Sequence, residues 1–278
     1  MADRIDSSSQ GLVAFIGGGN MAGAIIGGLV RQGLDPAQIE VVEPFAAARD
    51  KLQQQFGVAA RESAGPALER ASLVVWAVKP QTFRQAAADV RAHTAGALHL
   101  SVAAGIRSDS ISQWLGTQRI VRAMPNTPAL VGKGITALYA RPGVAAPDKT
   151  RAEQIIATTG EWLWVDDEAH LDAVTALSGS GPAYVFFFLE AMTDAGIQMG
   201  LSRDQAYRLA IATFAGAAEL ARSSDDPPQV LRRRVTSKGG TTEAAIASME
   251  SDRVQALFVK ALQAACQRAR ELGDEFGR

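Results

Sequence analysis

Between Leu12 and Val30 the chain carries no charged side chain, and three consecutive glycines, Gly17-Gly18-Gly19, sit inside that stretch. The length is about enough to cross a bilayer. The spacings Gly19 to Gly23 and Gly23 to Gly27 are those of associating membrane helices. Three glycines in a row break a helix, however. Asn20 is polar and no basic flank sets an orientation. The stretch therefore reads as a buried strand (Leu12-Val13-Ala14-Phe15-Ile16), a tight turn and a helix from Met21 to Arg31.

In that setting Gly17-Gly18-Gly19-Asn20-Met21-Ala22 is a G-x-G-x-x-A string. Its first glycine permits the turn, its second lets backbone approach a pyrophosphate, and Ala22 lets the helix pack on the strand. The phosphates would meet free N–H groups at the positive end of the helix dipole. Glu43 ends the next strand, Ile39 to Val42, 21 residues beyond Ala22, where an acid can bond the ribose hydroxyls of NAD. A carboxylate there should repel the 2′-phosphate of NADP, so Glu43 leans towards NAD. Arg49 is the nearest basic residue that follows it.

Further apolar runs alternate with helical patterns. Ala46 to Phe56 and Gln81 to Arg91 read as helices. Leu73 to Val78, Ala97 to Val102 and Arg119 to Met124 read as strands. Continuous apolar strands between helices signal a parallel sheet covered on both faces. Ile135 to Tyr139 and Trp162 to Val165 are expected to add edge strands. Ligands bind outside the carboxyl ends of such strands. This makes Ile16 to Met21, Ala77-Val78-Lys79-Pro80, Ala103-Ala104-Gly105 and Asn126 the candidate cofactor contacts. Lys79 invites a Schiff-base reading, but no apolar burial or second cation is evident beside it; a contact with cofactor or solvent fits better.

Beyond Asp166-Asp167-Glu168 no strand is evident. Helices are expected over Ala183 to Met199, Ser202 to about Ala221 and about Ser251 to Glu275, with a break at Asp225 to Pro228. The predicted organisation is a polar N-terminus at 1–10, a Rossmann-like α/β domain at 11–165 and an all-α domain at 166–278. Val185-Phe186-Phe187-Phe188-Leu189 is apolar on every helix face, which suggests burial between subunits. Two small-residue loops stand out here. Ser178 to Tyr184 opens the long apolar helix, with Pro182 just inside its start. Val235-Thr236-Ser237-Lys238-Gly239-Gly240-Thr241-Thr242-Glu243 precedes a helical run and gathers donors for a carboxylate-sized anion. An ordinary helix cap uses the same residue types. The triple Arg232-Arg233-Arg234 reads as a solvated helix face.

Composition narrows the chemistry. With 28 Lys+Arg against 29 Asp+Glu the formal charge is −1, which speaks against a nucleic-acid or anionic-membrane footprint. One cysteine, Cys266, makes no internal disulfide, and three scattered histidines make no zinc cluster. The N-terminus lacks the apolar core of a secretion signal, so a cytoplasmic location is expected.

Taken together the motifs resemble those of the Δ1-pyrroline-5-carboxylate reductases. The resemblance runs from about Leu12 to Leu272 and is carried by Phe15 to Met21, Ala77 to Pro80, Ala103 to Gly105, Arg122 to Pro128, Leu177 to Tyr184 and Val235 to Thr242. It implies reduction of the cyclic imine to proline with NADPH or NADH. It also implies a helical domain that forms an interlocked dimer, with dimers assembling into decamers. It places Ser237, Gly239, Gly240, Thr241 and Thr242 around the substrate carboxylate, with Thr242 near the ring nitrogen. Lys238 stands where some members have Pro, and Arg234 replaces a smaller polar residue. A β-hydroxyacid dehydrogenase would share the architecture but carry a catalytic Lys where this chain has Val185. A non-catalytic dinucleotide sensor would not need the second glycine loop.

Overall fold

A computed structural model describes residues 11–277. The polar N-terminus expected at 1–10 lies outside them. The described residues form two compact units, one made of 11–180 with 265–277 and the other of 181–264.

The first unit is built on one eight-stranded sheet. Its strands are β1 (Leu12–Ile16), β2 (Ile39–Val42), β3 (Ala60–Arg61), β4 (Ala71–Trp76), β5 (Leu98–Ser101), β6 (Ile120–Met124), β7 (Gly134–Ala140) and β8 (Gly160–Trp164). They lie in the order β3-β2-β1-β4-β5-β6-β7-β8. All neighbours pair parallel except β6 and β7, which pair antiparallel. β7 was expected at an edge; it lies inside the sheet, because β8 adds beside it in parallel. The helices are α1 (Asn20–Arg31), α2 (Ala46–Phe56), α3 (Pro80–Val90), α4 (Ser108–Leu115), α5 (Ala146–Ala157) and α6 (His170–Val174). A π-helical turn, Thr175–Gly179, follows α6.

Alternation along each strand explains the two layers. Val13 and Phe15 of β1 face one core with Ile25, Ile26 and Leu29 of α1, Leu52 of α2 and Ile155 and Ile156 of α5. Ala14 and Ile16 face the other with Phe83 and Ala87 of α3 and Ile111 of α4. Both faces of the sheet are buried, hence the unbroken apolar runs. The uncharged stretch from Leu12 to Val30 is thus β1, a turn and most of α1. Among the described residues no helix is long and apolar enough to cross a membrane.

The second unit contains α7 (Gly181–Gln198), α8 (Arg203–Arg222), α9 (Pro228–Arg234), α10 (Thr241–Ser251) and the first part of α11 (Val254–Phe276). Ser202 and Gln205 form a reciprocal capping box at the start of α8. Phe258 of α11 meets the rings of Tyr184 and Phe188 edge-on, at 5.8 and 5.6 Å.

The boundary between units differs from the one expected at 165/166. Strands do end at β8, but the chain stays with the sheet as far as Ser180. Glu168 is the tether. Its carboxylate pairs with Arg122 Nη1 at 2.6 Å and accepts from the Ser108 N–H at 2.6 Å and the Ser108 hydroxyl at 2.5 Å. The end of α11 also belongs to the first unit. Arg107 pairs with Asp274 at 2.8 Å, the Ser110 hydroxyl donates to the Gly277 carbonyl, and Phe276 packs on the second core.

Candidate active site

In the first unit the strand order reverses around β1, whose neighbours are β2 and β4. Open α/β sheets bind ligands at such a switch point, beyond the carboxyl ends of the strands. Gly17 follows β1 there with φ +93°, and a Cβ on it would lie 2.6 Å from the Ala77 carbonyl oxygen. Glycine is therefore required by backbone conformation and by the end of β4. Gly19 is the N-cap of α1; no side chain caps it, and a Cβ on it would meet nothing within 4 Å. The first N–H groups of α1 have no partner inside the helix. Asn20 is exposed and Met21 half-buried beside them. Bare donors, open space and the helix dipole fit a pyrophosphate.

The other strand ends complete this half. The Ala77 N–H donates to the Ile16 carbonyl, and Lys79 is the N-cap of α3 with Pro80 in its first turn. Lys79 is exposed and Val78 half-buried. After β5, Ala103 is buried, Ala104 is exposed, and Gly105 turns with φ +71° against Leu272 of α11. After β6, the Asn126 side-chain oxygen accepts the Ile135 N–H at 3.0 Å and so holds the turn into β7. All four loops lie at carboxyl ends of the parallel strands.

Glu43 is placed differently from a simple ribose acceptor. It is 6% exposed, and its carboxylate oxygens accept the Gly18 N–H at 2.7 Å and the Phe45 N–H at 2.9 Å. Arg49 Nη1 crosses the same loop to the carbonyls of Glu43 and Pro44, at 2.9 and 2.7 Å.

The second unit holds the other glycine loop. The Thr236 hydroxyl donates to the Arg232 carbonyl and closes the end of α9. Gly239 turns with φ +72°, and the Gly240 N–H returns to the Ser237 carbonyl. Gly240 is the N-cap of α10 and no side chain caps it. A Cβ on Gly240 would lie 2.5 Å from Ser237 Oγ, so the hydroxyl sits over the helix start, where glycine alone leaves room. The open N–H groups of Thr241 and Thr242, the Ser237 hydroxyl and the helix dipole gather at one point. Such an arrangement has the chemistry to hold a carboxylate-sized anion.

Two side chains here were not anticipated in these roles. Glu243 accepts the Gly239 N–H at 2.5 Å, so that donor is used inside the loop. The signal was present, since an acid three residues after an N-cap reaches back to the preceding backbone. Arg234 pairs with Asp226 at 2.6 Å, which gives that arginine a partner in its own unit. Lys238 is exposed.

A doubly wound sheet with a bare glycine turn, followed by helices that carry an anion cradle, defines the class of two-domain nicotinamide-dependent oxidoreductases. Comparison with known proteins narrows the class. The family described as pyrroline-5-carboxylate reductase dimerisation matches residues 168–272, and one described as NADP oxidoreductase, coenzyme F420-dependent, matches 12–105. A pyrroline-5-carboxylate reductase of Pseudomonas aeruginosa is 48% identical over 268 residues, 96% of this chain and 98% of that protein. The structure of a pyrroline-5-carboxylate reductase from Coxiella burnetii superposes with a TM-score of 0.89 at 39% identity, covering 95% of this chain and 99% of that one. The Plasmodium falciparum pyrroline carboxylate reductase, with NADP bound, gives 0.84 at 28% identity, over 94% and 98% of the two chains. The chain belongs to the pyrroline-5-carboxylate reductase family.

Proposed function

We propose that this chain reduces 1-pyrroline-5-carboxylate to L-proline, the last step of proline biosynthesis, using NADPH or NADH. Full-length similarity to reductases of that name supports the reading. The observation in the chain itself that carries it is the uncapped start of α10, with Ser237 Oγ seated over Gly240.

Bound NAD(P)H supplies a hydride to the C=N carbon of the cyclic imine, which is an electrophile once protonated. The chain's own part is to bind and orient. Gly17, Gly18, Gly19, Asn20 and Met21 hold the diphosphate, and the loops Ala77 to Pro80 and Ala103 to Gly105, with Asn126, form the walls around the rest of the cofactor. Ser237 Oγ and the N–H groups of Thr241 and Thr242 hold the substrate carboxylate, while Gly239 and Gly240 shape the turn. Holding two reactants in register is worth about 7–11 kcal/mol of barrier. Thr242 Oγ bonds the ring nitrogen and assists its protonation. A protonated imine needs no histidine base, which accords with the absence of histidine from these loops.

The test is oxidation of NADPH and of NADH, each titrated separately with pyrroline-5-carboxylate. Turnover is expected, and none with either dinucleotide would sink the reading. Thr242→Ala should lower kcat/KM by about 10²-fold, the scale of general acid–base help, with nicotinamide binding unchanged. Unchanged kcat and KM would remove Thr242 from the mechanism.

The active form is proposed to be a cytoplasmic homodimer joined through the helical unit. Phe186, Phe187, Leu209, Leu220 and Leu257 are each more than half exposed there. Apolar faces of that kind need cover, and a second copy supplies it by two-fold symmetry. The match to a dimerisation family over 168–272 supports this. Light scattering should give the mass of two chains, or of ten if dimers assemble further; the mass of one chain would refute it.

A further inference from the structure

The carboxylate of Glu43 is spent inside the protein. Both of its oxygens accept backbone N–H groups, one from Phe45 two residues on and one from Gly18 twenty-five residues back. It is 6% exposed. Gly18 lies so close that a Cβ there would sit 3.2 Å from Glu43 Cγ. Such packing leaves little of the carboxylate for a ribose hydroxyl to reach. Its charge is also met at short range by two N–H dipoles, so its repulsion of a distant 2′-phosphate is weakened.

The Gly18 bond acts on the neighbouring peptide. Gly17 and Gly18 link β1 to α1, and Gly18 precedes the N-cap Gly19. Gly17 donates its N–H to Val42, the residue before Glu43, at 2.8 Å. The glycine turn is thus tied to the end of β2 at two successive residues, once by backbone and once by the Glu43 side chain. A turn held at two points presents the N–H groups of Gly19, Asn20 and Met21 in a fixed direction. Those groups meet the diphosphate, which NADH and NADPH share.

Resting on the enzyme reading above, we infer that Glu43 is a positioning residue for the dinucleotide diphosphate and does not select between NADH and NADPH. The same position in the sequence suggested a preference for NAD; the side-chain partners assign it another task. Glu43→Gln keeps the size but can accept at one atom, so either Gly18 or Phe45 loses its partner.

The test is equilibrium binding of NADH and NADPH, followed by quenching of tryptophan fluorescence, for the wild type, Glu43→Gln and Glu43→Ala. The wild type should bind NADPH at least as tightly as NADH. Glu43→Gln should weaken both by the same factor, about tenfold for a lost charge-assisted bond, and Glu43→Ala should weaken both further. At saturating dinucleotide kcat should return to near the wild-type value, since the loss lies in binding. A tenfold or larger shift of the NADPH-to-NADH ratio in Glu43→Gln would overturn the inference and restore ribose reading. Unchanged affinity for both would overturn it as well. Should the variants not fold, a wild-type preference of tenfold or more for NADH would decide against it. A wild type that binds neither dinucleotide would remove the enzyme reading itself, whereas a shifted ratio would leave that reading standing.

Discussion

Glu168→Ala is expected to destabilise the protein by about 3 kcal/mol, the low end of the range for stranding a buried charge. The side chain of Arg122, on the central part of β6, is 9% exposed, and that of Glu168 is 20% exposed. Removing Glu168 leaves the guanidinium without its closest carboxylate and strips Ser108 of an acceptor for both its N–H and its hydroxyl. Asp172 limits the damage. Burial raises its carboxyl pKa against the opposing pull of Arg122, Arg107 and Arg270, so a second acid remains near Arg122. The contrast is Arg107→Ala. Its pair with Asp274 joins side chains that are 48% and 68% exposed, and loss of such a pair costs about 1 kcal/mol or less. Denaturant midpoints at one fixed protein concentration compare the two variants. Equal and small losses would show that Glu168 does not tether the segment after β8. The double variant Arg122→Met with Glu168→Leu should recover much of the loss, since it removes both charges together.

Acid should weaken the fold by about 3 kcal/mol as pH falls from 6.5 to about 4, through His99. This histidine, on β5, is 1% exposed, and its Nδ1 accepts the Trp76 indole N–H at 3.0 Å. Burial lowers its pKa from 6.5 to about 4; a hydrogen bond with the Thr94 backbone opposes the shift and the Arg119 charge adds to it. The sign follows from the neutral form being favoured in the fold. The contribution is complete above the unfolded pKa of 6.5, falls as protons bind the unfolded chain, and is lost near the folded value. A change of one pKa unit corresponds to about 1.4 kcal/mol. Asp172, with its carboxyl pKa raised by burial, works in the opposite sense. Unfolding free energies measured at pH 7, 5.5 and about 4, for the wild type and His99→Gln, isolate the histidine. A glutamine can still accept from Trp76 and does not titrate, so the variant should lose markedly less. Parallel pH curves for the two proteins would refute the assignment.

Much of the first unit was legible because its strands are buried on both faces. Leu12–Ile16 and Ile39–Val42 could hardly be other than strands once the glycine turn was placed. Three helices gave no comparable signal. In α4 Ile111 and Leu115 are buried one turn apart, but Ser108, Ser110 and Ser112 are buried with them, so the apolar period is short and interrupted. In α5 Pro147 lies in the first turn and the apolar residues crowd the last one. In α9 Pro228, Gln229, Val230 and Leu231 are followed by three arginines, too short a run for a period to show. The glycine turn after β1 was legible because Gly17 answers a local backbone demand. Glu43 was legible as an acid at the right distance, but its partner Gly18 lies just beyond the end of the neighbouring strand, 25 residues away in sequence, and pairing at that range leaves no mark on spacing. The second glycine loop was legible as a set of donors. Competition from Glu243 for one of those donors also had its mark in the sequence, an acid three residues after the N-cap Gly240. The boundary at Ser180 escaped as the pairing of Glu43 with Gly18 did, since it depends on Arg122 finding Glu168 across 46 residues.

The division of the chain also bears on the order in which the protein is assembled. The first unit is discontinuous: it runs to Ser180 and is completed by residues 265–277, after the whole of Gly181–Ala264. A ribosome therefore makes the helical unit before the residues that finish the sheet domain. The sheet domain waits, with the site of Phe276 on its second core unfilled, while an apolar helical segment is already outside the ribosome. Domains generally fold as units during synthesis, and exposed apolar surface at that stage favours aggregation. Yield from the cell should accordingly depend on translation rate through 181–264 and on chaperone supply, more than the stability of the finished protein would suggest.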